Sequence, residues 1–401
     1  TNLVVATGPT TDITLDLDGT SGELIEASGT IALNVAGFFQ VNGDLAFRKS
    51  TENVRVTGAG ADTAVDMLTI GGNGLNAFAG LNGGTADAIG LSLNNINFAL
   101  ALASSQANPA LSWTTLVAEA DSIGVVGLDD ILEASATDLS VAINLQASDT
   151  SVLDYNTTNL VVATGPTTDI TLDLDGTSGE LIEASGTIAL NVAGFFQVNG
   201  DLAFRKSTEN VRVTGAGADT AVDMLTIGGN GLNAFAGLNG GTADAIGLSL
   251  NNINFALALA SSQTNPALSW TTLVAEADSI GVVGLDDILE ASATDLSVAI
   301  NLQASDTSVL DYNTTNLVVA TGPTTDITLD LDGTSGELIE ASGTIALNVA
   351  GFFQVNGDLA FRKSTENVRV TGAGADTAVD MLTIGGNGLN AFAGLNGGTA
   401  D

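Results

Sequence analysis

The sequence predicts an all-β protein: an elongated tandem-repeat rod, β-solenoid-like or built on a continuous bent sheet, with tandem β-sandwich domains as the alternative. Three observations carry that expectation. Thr1 to Thr157 return almost letter for letter as Thr158 to Thr314, and a further copy starts at Thr315 and runs to Asp401; Ala107 becomes Thr264. Apolar and polar residues alternate over many stretches, the period of a half-buried strand. The junction between copies, ASDTSVLDYNTTNLVVATG, keeps that alternation through Leu153, Tyr155, Leu160 and Val162 and lacks the polar or Pro/Gly linker that joins independent domains. We read 1–157 as repeat 1, 158–314 as repeat 2 and 315–401 as a partial repeat 3, each copy offering the next the surface it receives.

Within one copy the elements follow in order. Ile13, Leu15 and Leu17 alternate with Thr14, Asp16 and Asp18, and Ile31, Leu33 and Val35 form a second strand. Val41 to Phe47 is a third, with LAFRKSTENVRVTG read as a hairpin that carries Arg55 on its returning strand. Ile89 to Leu93, Ile96 to Leu102, Trp113 to Val117 and Leu139 to Leu145 complete the set, separated by the turn clusters ATGPTTD, GAGAD, GGNG and NGGTAD. Ile89, Leu91 and Leu93 are odd-numbered, whereas Ile96, Phe98, Leu100 and Leu102 are even, so Asn94-Asn95 marks a bulge or corner. Phe38-Phe39 after Gly37 reads as a similar switch. Asp129 to Ala136 is the best helical candidate, against a turn followed by a strand. With about 20–25 residues per turn and ~4.8 Å between turns, a solenoid would grow by roughly 30–38 Å per copy.

Composition narrows the chemistry. Each full copy carries 18 acidic residues against three basic ones, and the whole chain has a formal charge of −37. Such a field repels phosphate backbones and anionic headgroups, so nucleic acid and membrane surfaces are poor partners and cations good ones. The chain has no Cys and no His, which removes disulfides, thiol nucleophiles, imidazole triads and Cys or His metal sites. No apolar run approaches the ~18 residues needed to span a bilayer as a helix. The third copy stops in mid-pattern at GLNGGTAD and TNLVVATG has no leader-like features, so the chain reads as a window on a longer repetitive protein.

Candidate sites are few. Asp16, Asp18 and Glu23, with Gly19 between them, resemble a shortened calcium loop that returns as Asp173, Asp175, Glu180 and as Asp330, Asp332, Glu337. The alternative is that these carboxylates are the outward residues of a strand. Gly71 to Phe78 resembles one line of a calcium-binding nonapeptide roll, or a Gly-rich loop that allows close backbone approach. Trp113 and Tyr155 lie in apolar alternation and read as core rather than as glycan platforms. The only basic residues form a triplet: Arg48, Lys49, Arg55, then Arg205, Lys206, Arg212, then Arg362, Lys363, Arg369. They either balance local acids such as Glu52 and Asp44 or dock on acidic loops of a neighbouring fibre.

The ordered set GLSLNNINFALAL, WTTLVAEAD, IGVVGLDDI and LSVAINLQAS resembles the tandem modules of giant repetitive bacterial surface proteins, some of them adhesin-like. That resemblance implies export, great length and a stalk, matrix or adhesive role, and it carries over no functional residues. The expectation is a non-enzymatic structural repeat of an extracellular bacterial fibre, with itself as main partner. The alternative is a calcium-dependent adhesin module that binds a glycan or protein on a cell surface, with Ca2+ as its only cofactor.

Overall fold

The computed structural model describes residues 3–17, 19, 22–128, 131–285 and 288–395. It is all-β. A short hairpin, β1 (Leu3–Ala6) and β2 (Asp12–Leu15), precedes six long strands: β3 (Ile25–Val35), β4 (Phe39–Val54), β5 (Thr63–Leu81), β6 (Ile89–Ser105), β7 (Ser112–Val126) and β8 (Leu132–Leu145). The second copy repeats this as the hairpin β9 (Leu160–Ala163) and β10 (Asp169–Leu172), followed by β11 (Leu181–Val192), β12 (Phe196–Val211), β13 (Thr220–Leu238), β14 (Ile246–Ser262), β15 (Ser269–Val283) and β16 (Leu289–Leu302). The third gives β17 (Leu317–Ala320), β18 (Asp326–Leu329), β19 (Leu338–Val349), β20 (Phe353–Val368) and β21 (Thr377–Ala393).

All the long strands belong to one antiparallel sheet of 15 strands laid out in chain order. The sheet crosses both copy junctions. β8 pairs with β11 from Leu181↔Asn144 to Val192↔Leu132, and β16 pairs with β19 in the same way. The architecture is therefore the continuous-sheet form of the expected fold, a meander rather than a coil. Segment 132–136 of the helical candidate lies in β8, while Asp129 and Asp130 are outside the described residues.

Strand lengths differ from the sequence reading. β4 runs unbroken through Arg48, Lys49 and Asn53, with Ser50 opposite Met67 and Asn53 opposite Ala64 on β5. The expected hairpin does not form here. KSTEN contains neither Gly nor Pro, and the chain turns instead at Gly58, whose φ is 78°. Phe38 is likewise part of a reversal: left-handed Ala36 (φ 50°) and Gly37 (φ 73°) turn β3 into β4, and the Phe38 amide donates to the Val35 carbonyl.

The switch at Asn94-Asn95 is present and belongs to a row. Gly43 (φ 140°), Gly74 (φ 60°), Asn95 (φ 50°) and Asp138 (φ 51°) interrupt β4, β5, β6 and β8 near mid-strand, with register shifts at Asn42/Asp44 and Gly72/Leu75. Side chains take over the lost ladder bonds: the Gly74 amide donates to Asn97 Oδ1 at 2.8 Å and the Asn95 amide to Asn76 Oδ1 at 3.1 Å. The row returns in copy two at Gly200, Gly231, Asn252 and Asp295.

Below this row, toward the Val54 end of β4, the alternation has the opposite sense from the one its large residues suggest. Ala99, Ala101 and Ala103 are buried, whereas Leu100 is half-buried and Leu102 exposed. The small residues face a second layer, and the large ones form a cross-strand ladder on the open face, Ile70↔Leu100, Leu100↔Leu116 and Leu116↔Ile143.

Candidate functional site: the clip between copies

The second layer comes from the junction. Leu153, Tyr155, Leu160 and Val162 do not continue the sheet, as their alternation implied. Residues 146–178 leave β8, fold back across the sheet of the copy just completed, and return to start β11. Leu153, Tyr155, Val162 and Leu172 are fully or almost fully buried against Val54, Val65, Met67, Ala101 and Trp113, and Val152 is fully buried beside them in sequence. The hairpin β9–β10, although second-copy sequence, is thus a clip on the first copy. β17–β18 and the segment before it clip the second copy with the corresponding residues Leu310, Tyr312, Val319 and Leu329.

Local chemistry explains the fit. Three alanines on β6 and Gly71 on β5 leave the sheet surface low enough for a backbone to approach. A Cβ at Gly71 would collide with the Ala163 carbonyl oxygen and lie 2.9 Å from Thr164 Cα; Gly228 stands in the same relation to Ala320 and Thr321. Burying each Val or Leu of the clip contributes about 1.5–3 kcal/mol.

Polar groups fix the register of the clip. Tyr155 donates its hydroxyl proton to Thr115 Oγ1 at 3.1 Å, Thr115 donates to Asn144 Oδ1 at 3.1 Å, and Asn144 Nδ2 donates to the Leu153 carbonyl at 2.7 Å. All three side chains are buried, so each bond is costly to lose. Trp113 Nε1 donates to the Ser151 carbonyl at 3.1 Å. Val152 and Thr57 exchange bonds, the Val152 amide donating to Thr57 Oγ1 and the Thr57 amide to the Val152 carbonyl, both at 3.0 Å. Asp154 accepts from the Asn156 amide and from Thr157 Oγ1. Burial pushes the Tyr155 and Tyr312 phenols up to about 12.

The acidic-loop residues take other roles. Asp18 lies outside the described residues, and Asp16 is exposed beyond β2. Asp175 and Asp332 cap short 3₁₀ turns at Gly176–Ser178 and Gly333–Ser335, their carboxylates held below the usual range by bonds from Thr177 and Thr334. Glu23, Glu180 and Glu337 pair with Lys49, Lys206 and Lys363 at 3.8, 2.7 and 2.6 Å. Among the described residues no cluster of three acidic side chains is placed to hold a metal ion. Gly71 to Phe78 lies in β5, not in a roll.

The basic triplets are met locally. Arg48 pairs with Glu26 and Glu52, and Arg55 with Asp62; Arg205 pairs with Glu183 and Glu209, and Arg212 with Asp219. Arg362 pairs with Glu340 and Glu366, and Arg369 with Asp376. Asp44 is not among these partners and accepts from Thr30 instead. Arg55 lies beyond the end of β4, so it does not share a hairpin face with Arg48.

A cleft of about 600 Å³ beside the clip, lined by Thr57, Thr63, Trp113 and Asp149, recurs in copy two with Thr214, Thr220, Trp270 and Asp306. The Trp113 indole bonds Ser151, and Asp149 accepts from the Ser151 hydroxyl and amide, which lowers its pKa. The sequence reading did not find the clip. The signals were Ala at every second position of FALALA and a Gly pair in β5, both of which mark room for another backbone. The chain matches no family model, no curated protein and no solved structure.

Proposed function

We propose that this chain is a structural segment of an extracellular bacterial fibre, stalk or matrix filament, without catalysis of its own, in which each copy lengthens one sheet and clips the copy before it. The observation that carries this reading is strand pairing through both junctions, β8 to β11 and β16 to β19. A domain boundary would interrupt the ladder, and here the ladder and the clip both cross it. The strongly acidic composition and the lack of Cys support export and a well-hydrated extracellular setting. Six strands per copy at ~4.8 Å add about 29 Å of sheet, close to the lower end of the solenoid figure.

Electron micrographs of chains carrying increasing numbers of the 157-residue copy test it. Stiff particles that lengthen by about 29 Å per copy are expected. Strings of globular beads joined by flexible links would reject the reading.

A further inference from the structure

The face of the sheet turned away from the clip is apolar over most of the strand length. In copy two one row runs Phe204↔Ile227↔Leu257↔Leu273↔Ile300↔Ile339, crossing the junction into copy three. A second row, Leu190↔Val198↔Ala234↔Leu250↔Ile280↔Ala293, lies beyond the mid-strand irregularities, and Phe196↔Ala236↔Leu248 is the next. No charged residue enters any of these rows. They share one face: β11 pairs with β12 without a register shift, so Ala184, opposite Phe204, lies on the same side of it as Ile188 and Leu190. A shallow groove of about 270 Å³ is accordingly lined by Ala184 and Ile188 together with Val141, Leu202 and Phe204. Phe196, Phe204 and Leu248 are 43%, 37% and 44% exposed although copy two carries its clip and has a neighbouring copy on each side. The exposure therefore belongs to a complete copy.

We propose that this face is an interface between two copies of the chain, which pack sheet on sheet with their open faces together, each supplying the layer that the other lacks. Size is the first argument. From Phe196 to Phe204 the apolar band is about 26 Å tall, and six strands make it about 29 Å wide, roughly 750 Å² in each copy. The largest apolar patch on an ordinary monomer is ~300–600 Å². Two copies in one chain offer roughly 1,500 Å², about twice what each partner buries in a standard complex. Period is the second argument. The rows cross the junctions unbroken, so a partner that matches them must be apolar over the same length and repeat at the same interval, as a second chain does. Relief is the third: Phe204 stands beside the groove over Ala184, a knob next to a hole, which a two-fold self-contact uses and a lipid surface does not. The charge of −37 opposes the pairing at long range, so salt screens the repulsion and tightens the pair. Bundling through the basic triplets would respond in the opposite way. The inference rests on the continuous sheet of the fibre reading, yet stiff, rod-shaped monomers would overturn the pairing and leave that reading in place.

Sedimentation velocity and small-angle X-ray scattering of the intact 401-residue chain, at rising concentration in low and high salt, test it. A dimer as long as the monomer but thicker in cross-section is expected, favoured by salt. Phe47→Glu with Phe204→Glu should weaken dimerisation by roughly a hundredfold, since each variant side chain would bury an unpaired carboxylate. Leu91→Glu with Leu248→Glu, on a separate row, should do the same. Melting curves of the dilute variants should stay close to the parent's, because all four positions are partly exposed in the single chain. Asn42→Asp with Asn199→Asp adds the same charge at exposed positions that alternate with Val41 and Val198 and so lie on the clip side; it should dimerise like the parent. In flotation with phosphatidylcholine vesicles the chain should remain unbound. A parent that stays monomeric, open-face variants that dimerise as well as the parent, particles that lengthen end to end without thickening, or monomers that float with the vesicles would overturn the proposal.

Discussion

Gly71 lies on β5 beneath the Ala163 carbonyl, and the missing Cβ is what lets the clip reach the sheet. Gly71→Ala or Gly228→Ala should therefore destabilise the chain by about 1–3 kcal/mol in urea unfolding, the usual cost of overpacking. Gly385→Ala, with open space above it, should stay within about 0.5 kcal/mol of the parent. Equal effects at all three sites would show that the clip does not seat there. The two tyrosines give a second residue-level test. Their folded-state pKa is raised from 10.0 to about 12, because burial disfavours the phenolate. A raised pKa means that the neutral form stabilises the fold: the contribution is complete below pH 10 and is lost as pH climbs toward 12. Tyrosinate absorbance should rise together with loss of the β-sheet circular dichroism signal in that window. Ionisation near pH 10 with the sheet intact would contradict the buried network. That Trp113 and Tyr155 belong to the core was legible from their place in apolar alternation. The partnership of Tyr155, Thr115 and Asn144 was not, because Asn144 in LSVAINLQ looks like an outward residue until a layer is known to lie above it.

At the scale of elements, the period-two pattern located most of the strands, and Asn94-Asn95 correctly marked an irregularity. What alternation cannot encode is which face a distant segment will cover. In INFALALA the large residues drew attention to Phe98, Leu100 and Leu102, while the packing depends on Ala99, Ala101 and Ala103. Strand ends were misjudged for a related reason. KSTEN is polar and charged, yet Ser50 and Thr51 continue β4 because β5 is long enough to pair with them. The clip is the element whose loss should matter most. Leu153→Ala opens a cavity beneath it and should cost about 2–5 kcal/mol. By contrast, Arg48→Gln with Arg55→Gln removes half-exposed pairs worth ~0–1 kcal/mol each, so the melting temperature should change little. A larger loss from the arginines than from Leu153 would invert this ranking of forces.

For the whole molecule, the near-identity of the copies made repetition evident from sequence, and the absence of a linker indicated continuity across the junction. The layering was hidden, since it depends on a segment of one copy packing on strands up to about a hundred residues earlier in the chain. The central claim is that copies one and two share one rigid sheet held by the clip. Because the chain has no cysteine, spin labels at Asn53→Cys and Asn210→Cys would report only the chosen positions, exposed equivalents on β4 and β12. These strands lie six places apart in the sheet, which corresponds to about 29 Å between backbones. Double electron–electron resonance should give one narrow distribution consistent with that backbone separation once the label arms are included. A broad distribution, or one centred well beyond the reach of six paired strands, would mean that the copies move as separate bodies and would contradict the account.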